Sequence, residues 1–250
     1  MKAKILILHF LMALTAATAK AQTDINKLDA SKRKQGVWKA YYDNGKLKYE
    51  GQYKNDLPTG TFNHYYDSGV LRAQMAYRPD GKTCDAVIFS ETGKKAGEGM
   101  YIDKKKQGEW KFYNDSLKLR AVEQYQAGAR HGFWKTFYPD GNLLEETEYK
   151  NDKKDGIWKQ YYPNKQLQTQ ATFRNDVMTG PAQYYYTDGK VEAAGVYDEK
   201  GLKSGYWFRY DRKGVQTEKI QYVNGMPQGK NLYKKDDKPI KVETPDGLKE

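Results

Sequence analysis

Apolar and polar positions alternate along most of this chain, and the alternation restarts at a fixed interval. Residues 36–53 read GVWKAYYDNGKLKYEGQY. Trp38 and Tyr41 precede a turn signal, Asp43-Asn44-Gly45. Beyond it Leu47, Tyr49, Gly51 and Tyr53 fall on one face at period two, and Lys48, Glu50 and Gln52 on the other. Aromatic residues favour strands, and glycine supplies the positive φ that a tight turn requires. The segment predicts a β-hairpin with one apolar and one polar face.

The hairpin recurs. Its opening glycine returns at Gly60, Gly108, Gly132, Gly156 and Gly180 in steps of 24 or twice 24, with Cys84 at the skipped position; after a one-residue insertion near Gly201 the series resumes at Gly205 and Gly229. One column is aromatic throughout: Tyr41, Tyr65, Phe89, Tyr113, Phe137, Tyr161, Tyr185, Tyr210. A second is Tyr53, Tyr77, Tyr101, Tyr125, Tyr149, Phe173, Tyr197, Tyr222. Trp38, Trp110, Trp134, Trp158 and Trp207 mark a third, and Leu47, Leu71, Leu119, Leu143 and Leu167 a fourth. Self-similarity at such a period is the signature of a repeat architecture.

The expected fold is all-β: an elongated antiparallel meander of about eight 24-residue hairpins, roughly sixteen strands, forming a twisted single sheet. Small residues at Gly51, Gly99, Ala171 and Gly195 leave room for a ring to lie close over the backbone. Leu117 and Lys165 stand at the turn-glycine position, so those two hairpins are expected to use another turn type. Each hairpin alone is marginal, and stability is shared between stacked neighbours.

Composition fits a thin structure. Charged residues make up 30% of the chain and tyrosine occurs 22 times, so the apolar area comes from rings rather than aliphatic side chains. Residues 1–21 read as a secretory signal: Lys2 and Lys4, an apolar run from Ile5 to Leu14, and Ala19-Lys20-Ala21 before a mature start at Gln22. Removing them lowers the formal charge from +11 to +8, with 40 basic and 32 acidic residues remaining. Residues 22–35 read as a polar lead-in, 36–228 as the repeat array, and 229–250 as a partial repeat with a charged tail that discourages edge pairing. Cys84 is the single cysteine, which excludes an intrachain disulfide and suits a small buried side chain.

No catalytic constellation emerges. His64 and His131 occupy different repeat positions, and neither a metal-ligand spacing nor a nucleophile elbow nor a phosphate-binding glycine loop is present. The recurrent aspartates, and pairs such as Asn55-Asp56, read as turn residues rather than catalytic or calcium-binding carboxylates. The sequence therefore predicts no catalytic, cofactor-binding or metal-binding residues and no cofactor.

The run G-x-W-x-x-Y-Y, a D/N-G turn, then L and G-x-Y at a period near 24 resembles the MORN-repeat superfamily, closest to bacterial MORN-variant repeats of the YwqK-type antitoxin kind, over about residues 36–228. A looser similarity is to the aromatic repeats of Gram-positive choline- and glucan-binding proteins. The MORN resemblance implies successive hairpins in an elongated sheet that serves as a binding or scaffolding module. Three functions stay open: an exported scaffold for a protein partner in the cell envelope, a module binding carbohydrate through aromatic rows, and an antitoxin-like toxin-binding protein. A glycan or an anionic membrane surface suits the basic balance; nucleic acid is not expected. Specificity is expected where copies differ: Lys39, Lys111, Lys135 and Lys159 in one column, Lys48, Arg72 and Arg120 in another. Gly36, Trp38, Tyr41, Gly45, Leu47, Tyr53, Tyr65, Tyr77, Trp110, Trp134, Trp158 and Trp207 are expected to serve the hairpin itself.

Overall fold

The computed structural model describes residues 25–232; the predicted signal peptide and the tail from residue 233 lie outside them. The described residues contain no helix. Nineteen antiparallel strands pair neighbour to neighbour in chain order to form one open sheet. Eight hairpins account for most of it. They are Lys34–Tyr41 with Leu47–Lys54, Leu57–Tyr65 with Leu71–Tyr77, Thr83–Phe89 with Lys95–Ile102, and Lys105–Tyr113 with Leu119–Gln126. The fifth joins Ala129–Arg130 and Gly132–Phe137 to Leu143–Lys150; then come Lys153–Tyr161 with Leu167–Arg174, Val177–Tyr185 with Val191–Tyr197, and Lys203–Tyr210 with Gln216–Val223. The sixteen expected strands become nineteen because the fifth hairpin's first strand is interrupted at His131 and short strands add to both ends.

Those ends are tied in. Lys27–Leu28 pairs with Lys34 and Gln35 inside the polar lead-in, and Asn26 bonds the backbone of Lys39 through both its amide nitrogen and its amide oxygen. At the other end Met226–Leu232 pairs with the eighth hairpin, as a partial ninth unit would.

Two irregularities recur and neither was visible in the alternation pattern. Within each hairpin the register shifts by one residue at the first aromatic column, so that Ala40 faces Tyr49 while Tyr41 faces Leu47. The same shift occurs at Tyr65, Phe89, Tyr113, Phe137, Tyr161, Tyr185 and Tyr210. This corrects the expectation that Leu47 shares a face with Tyr49, Gly51 and Tyr53: the bulge breaks the period-two series at Lys48 and pairs Leu47 with Tyr41. The second shift lies between hairpins, beside the opening glycine. Gln52 faces Thr59 but Glu50 faces Asn63, so two extra residues loop out around Gly60, whose φ is 65°. Gly108, Gly132, Gly156, Gly180 and Gly205 also have positive φ. Where Cys84 replaces the glycine, a side chain disfavours that conformation, and the pairing of Leu71–Tyr77 with Thr83–Phe89 runs with no shift.

The turns follow the same logic. Six inter-hairpin turns place two successive residues at positive φ, Asn55-Asp56 being the first, as a two-residue hairpin loop requires. The inserted residue near Gly201 converts one such loop to three residues, closed by Asp198 N–H on the Leu202 carbonyl at 2.8 Å. Leu117 and Lys165 do not change the turn type. Each adopts the left-handed conformation, at φ 59° and 70°, and closes the same hydrogen bonds as its glycine counterparts. The neighbouring strands dictate the turn, and the residue accepts the strain.

The core is a stripe on one face, called here the indole face. Trp110 is fully buried, and Phe62, Ala86, Ala182 and Trp207 occupy the same column with little exposure. The facing small residues are sterically required: a Cβ on Gly51 would stand 2.3 Å from the Phe62 ring, on Gly99 2.3 Å from Trp110, and on Gly195 2.2 Å from Trp207. The second tyrosine column closes the stripe edge-on. Tyr53 makes T-shaped contacts with Trp38 and Phe62, Tyr101 with Trp110, and Tyr197 with Trp207. Such pairs add about 1 kcal/mol each beyond area burial. Cys84 is buried, as its size and the missing bulge suggest.

Candidate functional site

Tyr42 and its counterparts bind hairpins together along one edge of the sheet. The hydroxyl of Tyr42 donates to the carbonyl of Tyr65, Tyr66 to Phe89, Tyr138 to Tyr161, Tyr162 to Tyr185, and Tyr186 to Tyr210, all at 2.7–2.9 Å. Along the other edge the backbone N–H of Lys34, Arg130 and Lys154 donates to the carboxylates of Asp56, Asp152 and Asp176 in the next turn. The turn aspartates are thus occupied in holding backbone. Among the described residues no group of three or more His, Cys, Asp or Glu side chains is placed to hold a metal ion.

The residue two positions before each opening glycine carries a feature absent from the sequence reading. It is basic in most copies, and its cation lies over the rings of the indole face. Lys34 Nζ is 4.6 Å from the Trp38 ring and 4.8 Å from Tyr53; Lys106 Nζ is 4.8 Å from Trp110 and 4.6 Å from Tyr125. Arg130 lies 4.5 Å from Tyr149, Lys154 5.1 Å from Phe173, and Lys203 4.3 Å from Trp207. Each is partly buried. Burial pulls the ammonium groups of Lys106 and Lys203 below the ordinary lysine range. The fixed offset from the glycine was the available signal; the placement over rings depends on the bulge and was not readable.

The indoles also show how the stripe is held. Nε1 donates to a backbone carbonyl in Trp38, Trp110, Trp134 and Trp207. Trp158 departs from this: its Nε1 is buried without a partner, while the Glu148 carboxylate reaches the N–H of Ile157 at 3.3 Å beside Gly156. Two hollows open on this face. One of about 940 Å³ adjoins Phe62, Met75, Tyr77 and Cys84, where no indole fills the column. The other, about 500 Å³, lies between Tyr184, Trp207 and Lys203 near the C-terminal end.

The opposite face carries the first predicted column. Lys39 pairs with Glu50 at 3.1 Å, Lys111 with Glu109 at 3.3 Å, and Lys135 with Glu146 at 3.1 Å, while Lys159 lies between Glu146 and Gln170 in the register. Glu50 also accepts from the Tyr65 hydroxyl at 3.0 Å and Glu98 from Tyr113 at 2.5 Å. Hydrogen bonds from Lys39 and then Tyr65 hold Glu50 below the usual carboxylate range, and the bond to Glu98 pushes Tyr113 up to about 12. The second predicted column lies elsewhere, at the bulge by the turn: Lys48 is 5.5 Å over Tyr42, Arg72 is 5.9 Å over Tyr66, and Arg120 is exposed in the hairpin where Asn114 stands in place of that tyrosine. The two columns do not converge on one site.

The first aromatic column divides from the second. Tyr41, at the end of the array, is 53% exposed, and Tyr210 is buried. The second column is partly buried in every hairpin; its rings meet the indole column edge-on or tilted, and cations lie over Tyr53, Tyr125, Tyr149, Phe173 and Tyr222, which leaves little open ring face in those hairpins for a neutral sugar. What the opposite face does expose, in hairpins five, six and eight, is Phe133, Ile157 and Tyr206, all in one column. In the first four hairpins that column holds Val37, Thr61, Asp85 and Glu109.

Four stretches match the MORN repeat variant family: residues 34–55, 130–151, 154–175 and 178–199. Each window opens at the position two before the glycine and covers one hairpin. No curated protein matches. Among solved structures, TarM is 15% identical over 38% of this chain, which spans 20% of TarM, with a TM-score of 0.28. A porin-like protein from Bacteroides uniformis is 8% identical over 79% of this chain and 96% of its own, with a TM-score of 0.19. Overlaps at these scores carry no functional inference. The hairpin, its period and the four matched windows agree: these four stretches are repeats of the MORN-variant type, set in an array of like hairpins.

Proposed function

We propose that the protein is an exported, non-enzymatic scaffold of the cell envelope that binds a protein partner along the face opposite the indoles. The observation that carries this reading is the column of Phe133, Ile157 and Tyr206. All are at least 42% exposed on consecutive or near-consecutive hairpins of a rigid sheet. Exposed apolar side chains gathered in one place mark interaction surfaces, and aromatic residues dominate the energetics of such contacts. The hydrogen-bonded edges keep neighbouring hairpins in register, which presents the column as one surface.

A photo-crosslinking residue at position 133 or 206 is expected to trap a discrete protein adduct in cells, and Phe133→Ser with Tyr206→Ser to abolish an adduct formed from position 157. Adducts that persist unchanged in that double variant would sink the partner surface. Export is tested separately by N-terminal sequencing of the cell-fractionated protein: a start at Gln22 supports it, and an intact Met1 in the cytoplasm contradicts it.

A further inference from the structure

We propose that the cations of the indole face form a binding row for an acidic polysaccharide, one whose acid groups recur at the interval of the hairpins. The row consists of Lys34, Lys106, Arg130, Lys154 and Lys203, each held over aromatic rings. This site is on the other face from the protein-binding column and stands independently of it.

Three observations support the row. The first is spacing. Lys106, Arg130 and Lys154 occupy the same position in consecutive hairpins, and each hairpin adds two strands, so successive cations stand roughly 10 Å apart. A polymer with one acid per disaccharide is a ligand of matching periodicity. The second is incomplete neutralisation. Lys106 has Glu123 at 3.9 Å and Arg130 has Asp152 at 3.4 Å, but among the described residues no carboxylate lies within ion-pair distance of Lys34, Lys154 or Lys203. An ammonium group has three donors, and its ring neighbours satisfy it electrostatically without accepting all of them. The remaining donors suit a carboxylate brought by a ligand.

The third observation selects between polyanions. A single-stranded nucleic acid binds by stacking its bases on open aromatic faces. Here the rings meet edge-to-face at 78° for Trp38 with Tyr53 and 74° for Tyr197 with Trp207, and Lys34 covers Trp38 and Tyr53 while Lys203 covers Trp207. The surface offers charge at intervals and little stacking area, which favours a polymer that is acidic and non-aromatic. The backbone at these positions is also fixed: Lys34 and Lys154 each donate their N–H to a turn aspartate at 2.8 Å. The cations are therefore positioned before any ligand arrives, which lowers the ordering cost of binding.

The test uses the full-length mature protein and sodium hyaluronate, which carries one carboxylate per disaccharide, with uncharged dextran as the comparison. Binding is read by tryptophan fluorescence, because the cations lie against Trp38, Trp158 and Trp207. Hyaluronate is expected to bind and to perturb that emission; dextran is not. The triple variant Lys34→Met, Lys154→Met, Lys203→Met keeps the stems over the rings. It is expected to weaken hyaluronate binding about tenfold or more, three partly desolvated contacts at the upper end for exposed pairs. The charge-matched triple Lys39→Met, Lys111→Met, Lys159→Met on the opposite face is expected to weaken it only about twofold, through net charge alone. Should the first triple fail to fold, the single variants Lys154→Met and Lys203→Met take its place.

Equal losses from the two triples would overturn the proposal, as would hyaluronate binding no tighter than dextran. Tighter binding of an oligothymidylate or of anionic-lipid vesicles than of hyaluronate would also overturn it. Phe133→Ser with Tyr206→Ser is expected to leave hyaluronate binding unchanged, which separates this site from the protein-binding column.

Discussion

The junction that carries Cys84 and the junction that carries Gly108 use the same length of chain to different ends. From Tyr77 to Cys84 and from Tyr101 to Gly108 the step is seven positions in both. At Gly108 the chain turns in two residues, Asp103-Lys104, and spends the remainder on a bulge; Trp110 then lies across Gly99, which pairs with Ala86 on one side but with no residue of the Trp110 strand. At Cys84 the residues go into a longer loop, closed by Arg78 N–H on the Thr83 carbonyl, and the strands pair in unbroken register with Met75 facing Ala86. Glycine and bulge are therefore one device, and after the first hairpin the indoles are found only where both are present. When Cys84 replaces the glycine the bulge goes with it and Ala86 stands at the indole position, beside the 940 Å³ hollow.

The largest test of this device is Gly99→Val. The new side chain would begin 2.3 Å from the Trp110 ring, so the indole must leave the stripe. The expected cost is about 3–5 kcal/mol, similar to deleting a buried tryptophan, read as a fall in the urea midpoint and a red shift of tryptophan emission. Ala86→Val in the unbulged junction is expected to cost less, about 1–3 kcal/mol, because the overpacked neighbour Met75 is flexible. A smaller effect is expected from Gly108→Ala, about 1–2 kcal/mol for a side chain in the left-handed region. The reverse change at Leu117 and Lys165, each to glycine, is expected to stabilise the fold by about 1 kcal/mol of relieved strain apiece, read as a rise in the melting temperature.

The smallest test concerns ionisation. The third hairpin has Phe89 where the fourth has Tyr113, and only the latter has a carboxylate below it, Glu98. The folded phenol has its pKa raised, to about 12, first by the hydrogen bond to Glu98 and then by burial. A raised acid holds its proton more tightly when folded, so its contribution is complete below pH 10 and is lost as the pH climbs through about 12. Glu98→Gln is expected to return the Tyr113 titration toward the ordinary phenol value, measured by ultraviolet difference absorbance. An unshifted titration in that variant would show that burial, not Glu98, sets the value.

The sequence disclosed what lies within one repeat and concealed what lies between repeats. The 24-residue period, the turn glycines and the small residues under the rings were legible because each is a column in a single chain. The register shifts were not, since a bulge leaves no mark on composition and defeats the period-two count at Lys48. Contacts such as Tyr65 with Glu50, or Tyr42 with the Tyr65 carbonyl, join residues 15 and 23 positions apart and need the strand pairing to be known. The pairing left a partial trace: Phe89 and Phe137 follow Gln74 and Val122, while Tyr65, Tyr113 and Tyr161 follow Glu50, Glu98 and Glu146, but Tyr185 follows Gln170 and breaks the rule. The cation row was missed for a different reason. Lysine before glycine reads as an ordinary solvated charge until the bulge is seen to place it over an indole.

The open meander also determines how the molecule responds to a pull. Its two ends lie at opposite ends of the strand order, so tension between them acts along the inter-strand hydrogen bonds and separates strands one pair at a time rather than shearing many at once. Each 24-residue hairpin that peels away exchanges roughly 10 Å of sheet for about 80 Å of extended chain. The tyrosine hydroxyls and turn aspartates that bridge neighbouring hairpins set the force of each step, and the Cys84 junction, with its different loop, sets one step apart from the others. Under tension the described sheet is expected to lengthen in units fixed by its repeat.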